Sequence, residues 1–292
     1  MAFYSLRAQD VHWSSSFLVY KYGHSLQRQT PHTQFQPVLQ LILRVFLSQI
    51  SRNHKHDSSC RALISITSAN ATLFQGKETT GVFISEALHQ YKVLTAAGFE
   101  FDLTFETGMF TPDCLSQQPD FLNGEDLATW QDTNSEFRKK LDNMPKAADI
   151  DGSRYGIFYA SAGHAALIDY PTASTLQKIA AQVWANGGIV SAVCHGPALF
   201  ANLLDPATNE PIIKGKTITG FTTEAEITMG IMEELRSWGN DMIDEMAAKL
   251  GAKWHKGSGM TTTWLMAALS QDRNSASARS TAQAAVKAFD KL

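Results

Sequence analysis

The sequence predicts an α/β protein with a mainly parallel sheet covered by helices on both faces. Three observations predict it. Short apolar runs of strand length recur at residues 62–67, 99–105, 156–160 and 189–193. Between them lie stretches with helical spacing, closed by glycine at Gly98 and at Gly187-Gly188. The run Ile189–Val193 holds only apolar or small residues, as a strand buried on both faces does. Strands alternating with helices are the pattern of parallel sheets.

Residues 1–60 stand apart from this pattern. They hold six Lys/Arg, two Asp and no Glu, a net of +4, so the remainder of a chain of net charge -3 carries -7. They are rich in Ser, Gln and His, and residues 38–50 could form an amphipathic helix. A basic, Ser-rich, acid-poor segment has the composition of a mitochondrial transit peptide, but dense Arg spacing is missing. The segment is read as a disordered extension or a gene-model artefact ahead of a catalytic domain over 61–292.

From Arg61 onward the elements follow in order. Residues 62–67 read as a strand and 79–97 as a helix ended by Gly98. Residues 99–105 alternate apolar and polar, which is a strand. The insert 111–151 is polar and punctuated by proline, and reads as a cap or surface excursion. Residues 156–160 form a strand, 171–185 a helix opened by Pro171, and 189–193 the next strand. Gly196-Pro197 then opens an apolar run read as a helix, with proline in the first turn. Residues 217–219 read as a short strand, and 241–250 and 276–289 as amphipathic helices.

Composition removes several function classes. The chain has 292 residues, 44% of them hydrophobic, enough for a substantial core. A net charge of -3 argues against non-specific nucleic-acid binding. The three cysteines, Cys60, Cys114 and Cys194, form no CxxC pair and suit a reducing compartment. The nine histidines show no HExxH or paired metal-ligand spacing, so no metal is expected. No apolar run reaches the ~18 residues of a membrane span. Neither a GxGxxG nor a Walker loop is present, so no cofactor is expected.

The chemistry concentrates where strand 189–193 ends. Cys194-His195-Gly196-Pro197 follows that strand directly, the strand–turn–helix layout of a nucleophile elbow. A thiol facing the start of a helix is favoured as thiolate. In an open α/β sheet the site lies beyond the carboxyl ends of the strands. That rule gathers Ser161, Gly163 and His164 after strand 156–160, Glu86 in the helix after the first strand, and Glu224 and Glu226 after residues 217–219. Each also admits an ordinary role. Glu86 and Glu226 would serve as helix-surface ion pairs, His164 as a partner for a backbone carbonyl, Gly163 as a turn glycine, and Cys194 as a small buried apolar residue.

Five stretches carry a family resemblance: residues 77–89 (KETTGVFISEALH), 160–164 (ASAGH), 169–171 (DYP), 192–197 (AVCHGP) and 219–222 (TGFT). Over 61–253, with a trace at the C-terminus, the chain resembles the ThiJ/PfpI superfamily, and within it the fungal heat-shock-protein-31-type, glutathione-independent glyoxalase III branch. The resemblance implies a flavodoxin-like fold with a small cap, and a homodimer. It implies Cys194 as nucleophile, His195 as its partner, Glu226 as the acidic member of the triad and Glu86 as the acid contacting the thiol. It places Gly163 and the His195 N–H at the oxyanion, with His164 beside them. It also implies a lyase that turns methylglyoxal, a small 2-oxoaldehyde, into D-lactate without glutathione, cofactor or metal, in carbonyl-stress defence. A cytoplasmic location is expected, or a mitochondrial one if 1–60 is a transit peptide. The alternatives are a holdase chaperone, also known among family members, and a cysteine hydrolase on the same elbow.

Two departures stand out. Gln90 replaces a common proline. Residues 264–274 (WLMAALSQDRN) replace a strand pattern of the type Asp-Gly-x-Leu-Ile-Thr-Gly, before family-like residues resume at 275–281. Two compensating frame shifts would account for this, and the segment puts one strand of the sheet in doubt.

Overall fold

The computed structural model describes residues 60–255, 264–266, 269–272 and 278–292. The proposed extension 1–60, Cys60 apart, lies outside the described residues. In chain order the first elements are strands β1 (Arg61–Ile66), β2 (Ala71–Leu73) and β3 (Glu78–Thr80), helix α1 (Ile84–Ala96), and strand β4 (Glu100–Phe105). Helices α2 (Gly124–Gln131) and α3 (Glu136–Asp142) lie in the insert, followed by strand β5 (Ile157–Ala160). Helices α4 (Ala166–Asp169) and α5 (Ser174–Ala185) and strands β6 (Ile189–Val193) and β7 (Thr217–Ile218) come next. The chain continues through α6 (Thr223–Met229), α7 (Met232–Ser237), α8 (Ile243–Lys249), β8 (Lys253–Trp254), β9 (Trp264–Met266), β10 (Leu269–Asp272) and α9 (Ala278–Phe289).

The central sheet has the order β4-β1-β5-β6-β10-β9. Its pairs are parallel except β10 with β9. The α/β, flavodoxin-like expectation therefore holds. Every residue of β5 and β6 is buried, so both faces of the sheet centre are covered. Helices α1 and α9 pack on each other, and α5 packs on β5 and β6. Gln90, the departure noted above, is buried in α1, and its amide donates to the Ala278 carbonyl of α9.

Five expectations need correction. The helix expected from Thr79 begins only at Ile84. The residues before it pair as the hairpin β2–β3, with Thr80 opposite Ala71. The Val82 and Phe83 N–H groups are then spent on Thr111 O (2.8 Å) and Ala162 O (2.7 Å), so they are committed to neighbouring segments. The helix expected over 171–185 starts at Ser174, after a 3-10 turn at Tyr170–Thr172.

After the elbow the chain forms a 3-10 helix, Gly196–Asn202. The Leu199 carbonyl in this turn accepts from Gln177 Nε2 (3.2 Å). The strand in doubt is present: β10 runs parallel to β6, with Leu269 opposite Val190 and Asp272 opposite Val193. The insert is more than surface, since α3 buries Phe137 and Leu141.

Candidate active site

Cys194 stands at the end of β6 with φ +57, a left-handed conformation that costs a side-chain-bearing residue energy and is kept where the surroundings enforce it. Two contacts enforce it. The Cys194 carbonyl accepts the Phe221 N–H at 2.9 Å. Gly196 brings the chain so close to β5 that a Cβ there would lie 2.4 Å from the Ala160 carbonyl oxygen. The expected elbow is thus a real backbone feature, although a short 3-10 turn follows it.

His195 Nδ1 lies 3.2 Å from Cys194 Sγ, and His195 Nε2 lies 2.6 Å from Glu226 Oε1. Glu226 enters from the first turn of α6, whose N-cap Thr222 accepts the Ala225 N–H through its side chain at 3.2 Å. The other oxygen, Glu226 Oε2, lies 3.1 Å from His164 Nε2. Phe221 stacks on His195 (4.8 Å between centroids, 28°) and meets His164 edge-on (5.7 Å). His164, His195 and Glu226 are all buried.

The hydrogen bonds fix the protons. Both imidazoles pull the Glu226 carboxyl down to about 2 in spite of its burial. An ionised carboxylate only accepts, so both Nε2 atoms carry hydrogen. The His195 ring, whose pKa burial and the neighbouring His164 hold below the usual value, keeps a bare Nδ1 lone pair toward sulfur. His164, His195 and Glu226 form a donor set of the kind that binds metals, with their ligand atoms within 4.8 Å of one another. Here both Nε2 atoms are spent on the carboxylate.

Glu86 reaches the same sulfur from the first turn of α1. The exchange that seats it is reciprocal: Phe83 N–H donates to Ala162 O, and Ala162 N–H donates to Glu86 Oε2 (3.1 Å). Glu86 Oε1 has no conventional hydrogen-bond partner among the described residues. Burial pushes this carboxyl up to about 8, against the pull of the Cys194 thiol and the Ala162 N–H, so it is protonated at neutral pH. The thiol expectation is corrected here. Burial pushes the Cys194 thiol well above its usual range, against the pull of the His195 backbone N–H. The resting sulfur is a thiol with a base beside it, not a stored thiolate.

Gly163 has φ +141, and a Cβ there would lie 2.1 Å from the Gly81 carbonyl oxygen, so only glycine fits this turn. It holds the segment before α1 against the turn that carries His164. Glu224 shares the first turn of α6 but is exposed, whereas Glu226 is buried. Sequence reasoning missed two contributors. Phe221 was part of a recognised motif without a role. Buried Asp113, from the insert, adds negative charge near Glu86 and both histidines, and no local pattern announced it.

Glyoxalase 3 of Candida albicans is 48% identical over 194 residues, which is 66% of this chain and 82% of that protein. The chain belongs to the fungal Hsp31-type family of glutathione-independent glyoxalases. Another relative in that family, glutathione-independent glyoxalase HSP31 of Saccharomyces cerevisiae, is 42% identical over the same shares of chain and protein. The crystal structure of Candida albicans glyoxalase III matches with a TM-score of 0.78 at 44% identity, covering 80% of this chain and 100% of that one. The rapid encystment protein of Francisella tularensis shares the fold, with a TM-score of 0.70 at 22% identity over 78% of this chain and 98% of that one. No family model matches the chain.

Proposed function

We propose that this protein is a lyase that converts methylglyoxal to D-lactate without glutathione, through a hemithioacetal on Cys194. One observation carries the reading: a single sulfur faces a bare imidazole nitrogen and a protonated carboxyl at the end of a parallel sheet.

The steps balance with two proton carriers. His195 Nδ1 takes the thiol proton while sulfur adds to the aldehyde carbon, and Glu86 protonates the oxygen that forms. The Glu86 carboxylate then removes the hydrogen on the carbon bonded to sulfur, and His195 protonates the ketone oxygen, giving an enediol. Glu86 returns its proton to the second carbon while His195 takes the hydroxyl proton, which leaves a thioester. Water cleaves the thioester. Its hydroxyl goes to the acyl carbon and its proton to Glu86, and His195 reprotonates the departing sulfur. Glu226 stabilises the imidazolium each time it forms, and the N–H groups of Gly163 and His195 support the oxyanions.

A homodimer and a cytoplasmic location, or a mitochondrial one if 1–60 acts as a transit peptide, belong to this reading on the strength of resemblance and composition. No helix among the described residues is long and apolar enough to cross a membrane. The test is D-lactate formation from methylglyoxal, in glutathione-free buffer, by purified wild-type and Cys194→Ala protein. Wild type is expected to turn over and Cys194→Ala to be inactive; an active Cys194→Ala protein would overturn the assignment. Peptide or amide cleavage, or suppression of aggregation by an otherwise inactive wild type, would point to the hydrolase or the chaperone.

A further inference from the structure

The resemblance puts His164 beside the substrate, but the geometry gives its imidazole another task. Its Nε2 is on Glu226 Oε2 at 3.1 Å, while His195 holds Oε1 at 2.6 Å. The two rings lie 4.5 Å apart, tilted by 41°, with Phe221 against both. A carboxylate held by one donor can still turn about its last bond, whereas one held at both oxygens cannot. The turn that delivers His164 is equally constrained, because Gly163 before it lies hard against Gly81.

We infer that His164 is a positioning residue for the Cys194–His195 pair: by clamping the second oxygen of Glu226 it keeps His195 turned with Nδ1 on the sulfur. The inference rests on the reading of Cys194 as nucleophile. The groups facing His164 are Glu226 from α6, His195 after β6, Asp113 from the insert and Glu86 from α1. Of these, Glu226 does most to raise the His164 pKa against its burial. Positive charge on His164 in turn disfavours a proton on His195.

The experiment compares wild type with His164→Ala and His164→Gln through two readouts. One is kcat and KM for methylglyoxal across pH. The other is the rate of Cys194 alkylation by iodoacetamide across pH, which needs no turnover. Losing a hydrogen bond to a buried carboxylate should lower kcat about 10-fold in His164→Ala with KM nearly unchanged. The acid limb of both profiles should move to higher pH, because His195 then takes a proton more readily. The glutamine amide can still donate, so His164→Gln should recover kcat to within about threefold of wild type while keeping the shifted limb.

A folded His164→Ala protein with both profiles superimposed on wild type would overturn the inference. If His164→Ala does not fold, the glutamine variant decides: the recovered kcat with a shifted limb supports the inference, and a loss beyond about 10-fold overturns it. Turnover by Cys194→Ala would sink the nucleophile reading instead, and the alkylation profiles would still report on His164.

Discussion

On the α1 side of Cys194, Glu86 is fully buried with one backbone N–H for company. On the α6 side, Glu226 is nearly as buried but receives an N–H from each of two imidazoles. The first carboxyl is pushed up to about 8 and the second pulled down to about 2. One residue type thus supplies a proton carrier on one side of the sulfur and a fixed negative charge on the other. Environment sets the role, as it does wherever neighbouring carboxyls are driven apart in pKa.

The sharpest way to break the comparison is Glu226→Gln. An amide cannot accept from both histidines, and its NH2 would face an N–H. His195 is then expected to move its hydrogen to Nδ1, which takes the lone pair away from sulfur. The kcat for D-lactate formation should fall about 10³-fold. A loss under about threefold would mean that the fixed charge is dispensable.

Glu86→Gln is expected to cost less activity, about 10²-fold in kcat/KM, and to have an opposite signature in stability. The folded Glu86 keeps its proton up to about pH 8, while the unfolded side chain releases it near 4.5. Stability from this group is therefore complete below pH 4.5 and is lost as pH rises toward 8. Glutamine does not ionise. The Tm of Glu86→Gln should exceed that of wild type by about 5 °C near pH 8, with the gap closing toward pH 4.5. A gap that stays constant with pH would show that Glu86 is not held protonated.

The two sides also differed in how legible they were. Cys194, His195 and the strand before them stood out because an apolar run, a sharp turn and a Gly-Pro fall within a dozen residues. Strand β6 was read to its ends, and β1, β4 and β5 to within one residue. Glu86 and Glu226 were identified, but the low pKa of Glu226 was not, because it depends on His164 and His195 arriving from other strands. The thiol was misjudged for the same reason: a helix start is visible in sequence, while burial beside two carboxyls is not. The helix expected from Thr79 failed because the donors of Val82 and Phe83 are committed to Thr111 and Ala162, which are remote in sequence. Strand β10 formed where the pattern had been lost, which fits the tolerance of backbone pairing for side-chain identity.

The smallest expected effect separates how the two helices are held. Glu226 hangs from the first turn of α6, which Thr222 caps through its side chain. Glu86 hangs from the first turn of α1, whose N-cap Phe83 makes no side-chain cap. That end is seated instead by the exchange with Ala162. Thr222→Ala should therefore cost about 1 kcal/mol of stability, a drop of about 3 °C in Tm, and lower kcat a few-fold by loosening Glu226. Thr222→Ser should restore both. The pH-dependent Tm gap between wild type and Glu86→Gln should be the same in the Thr222→Ala background, because the cap touches only the α6 side. A gap that changed would show that the two carboxyls are coupled through the sulfur and do not respond independently to their own helices.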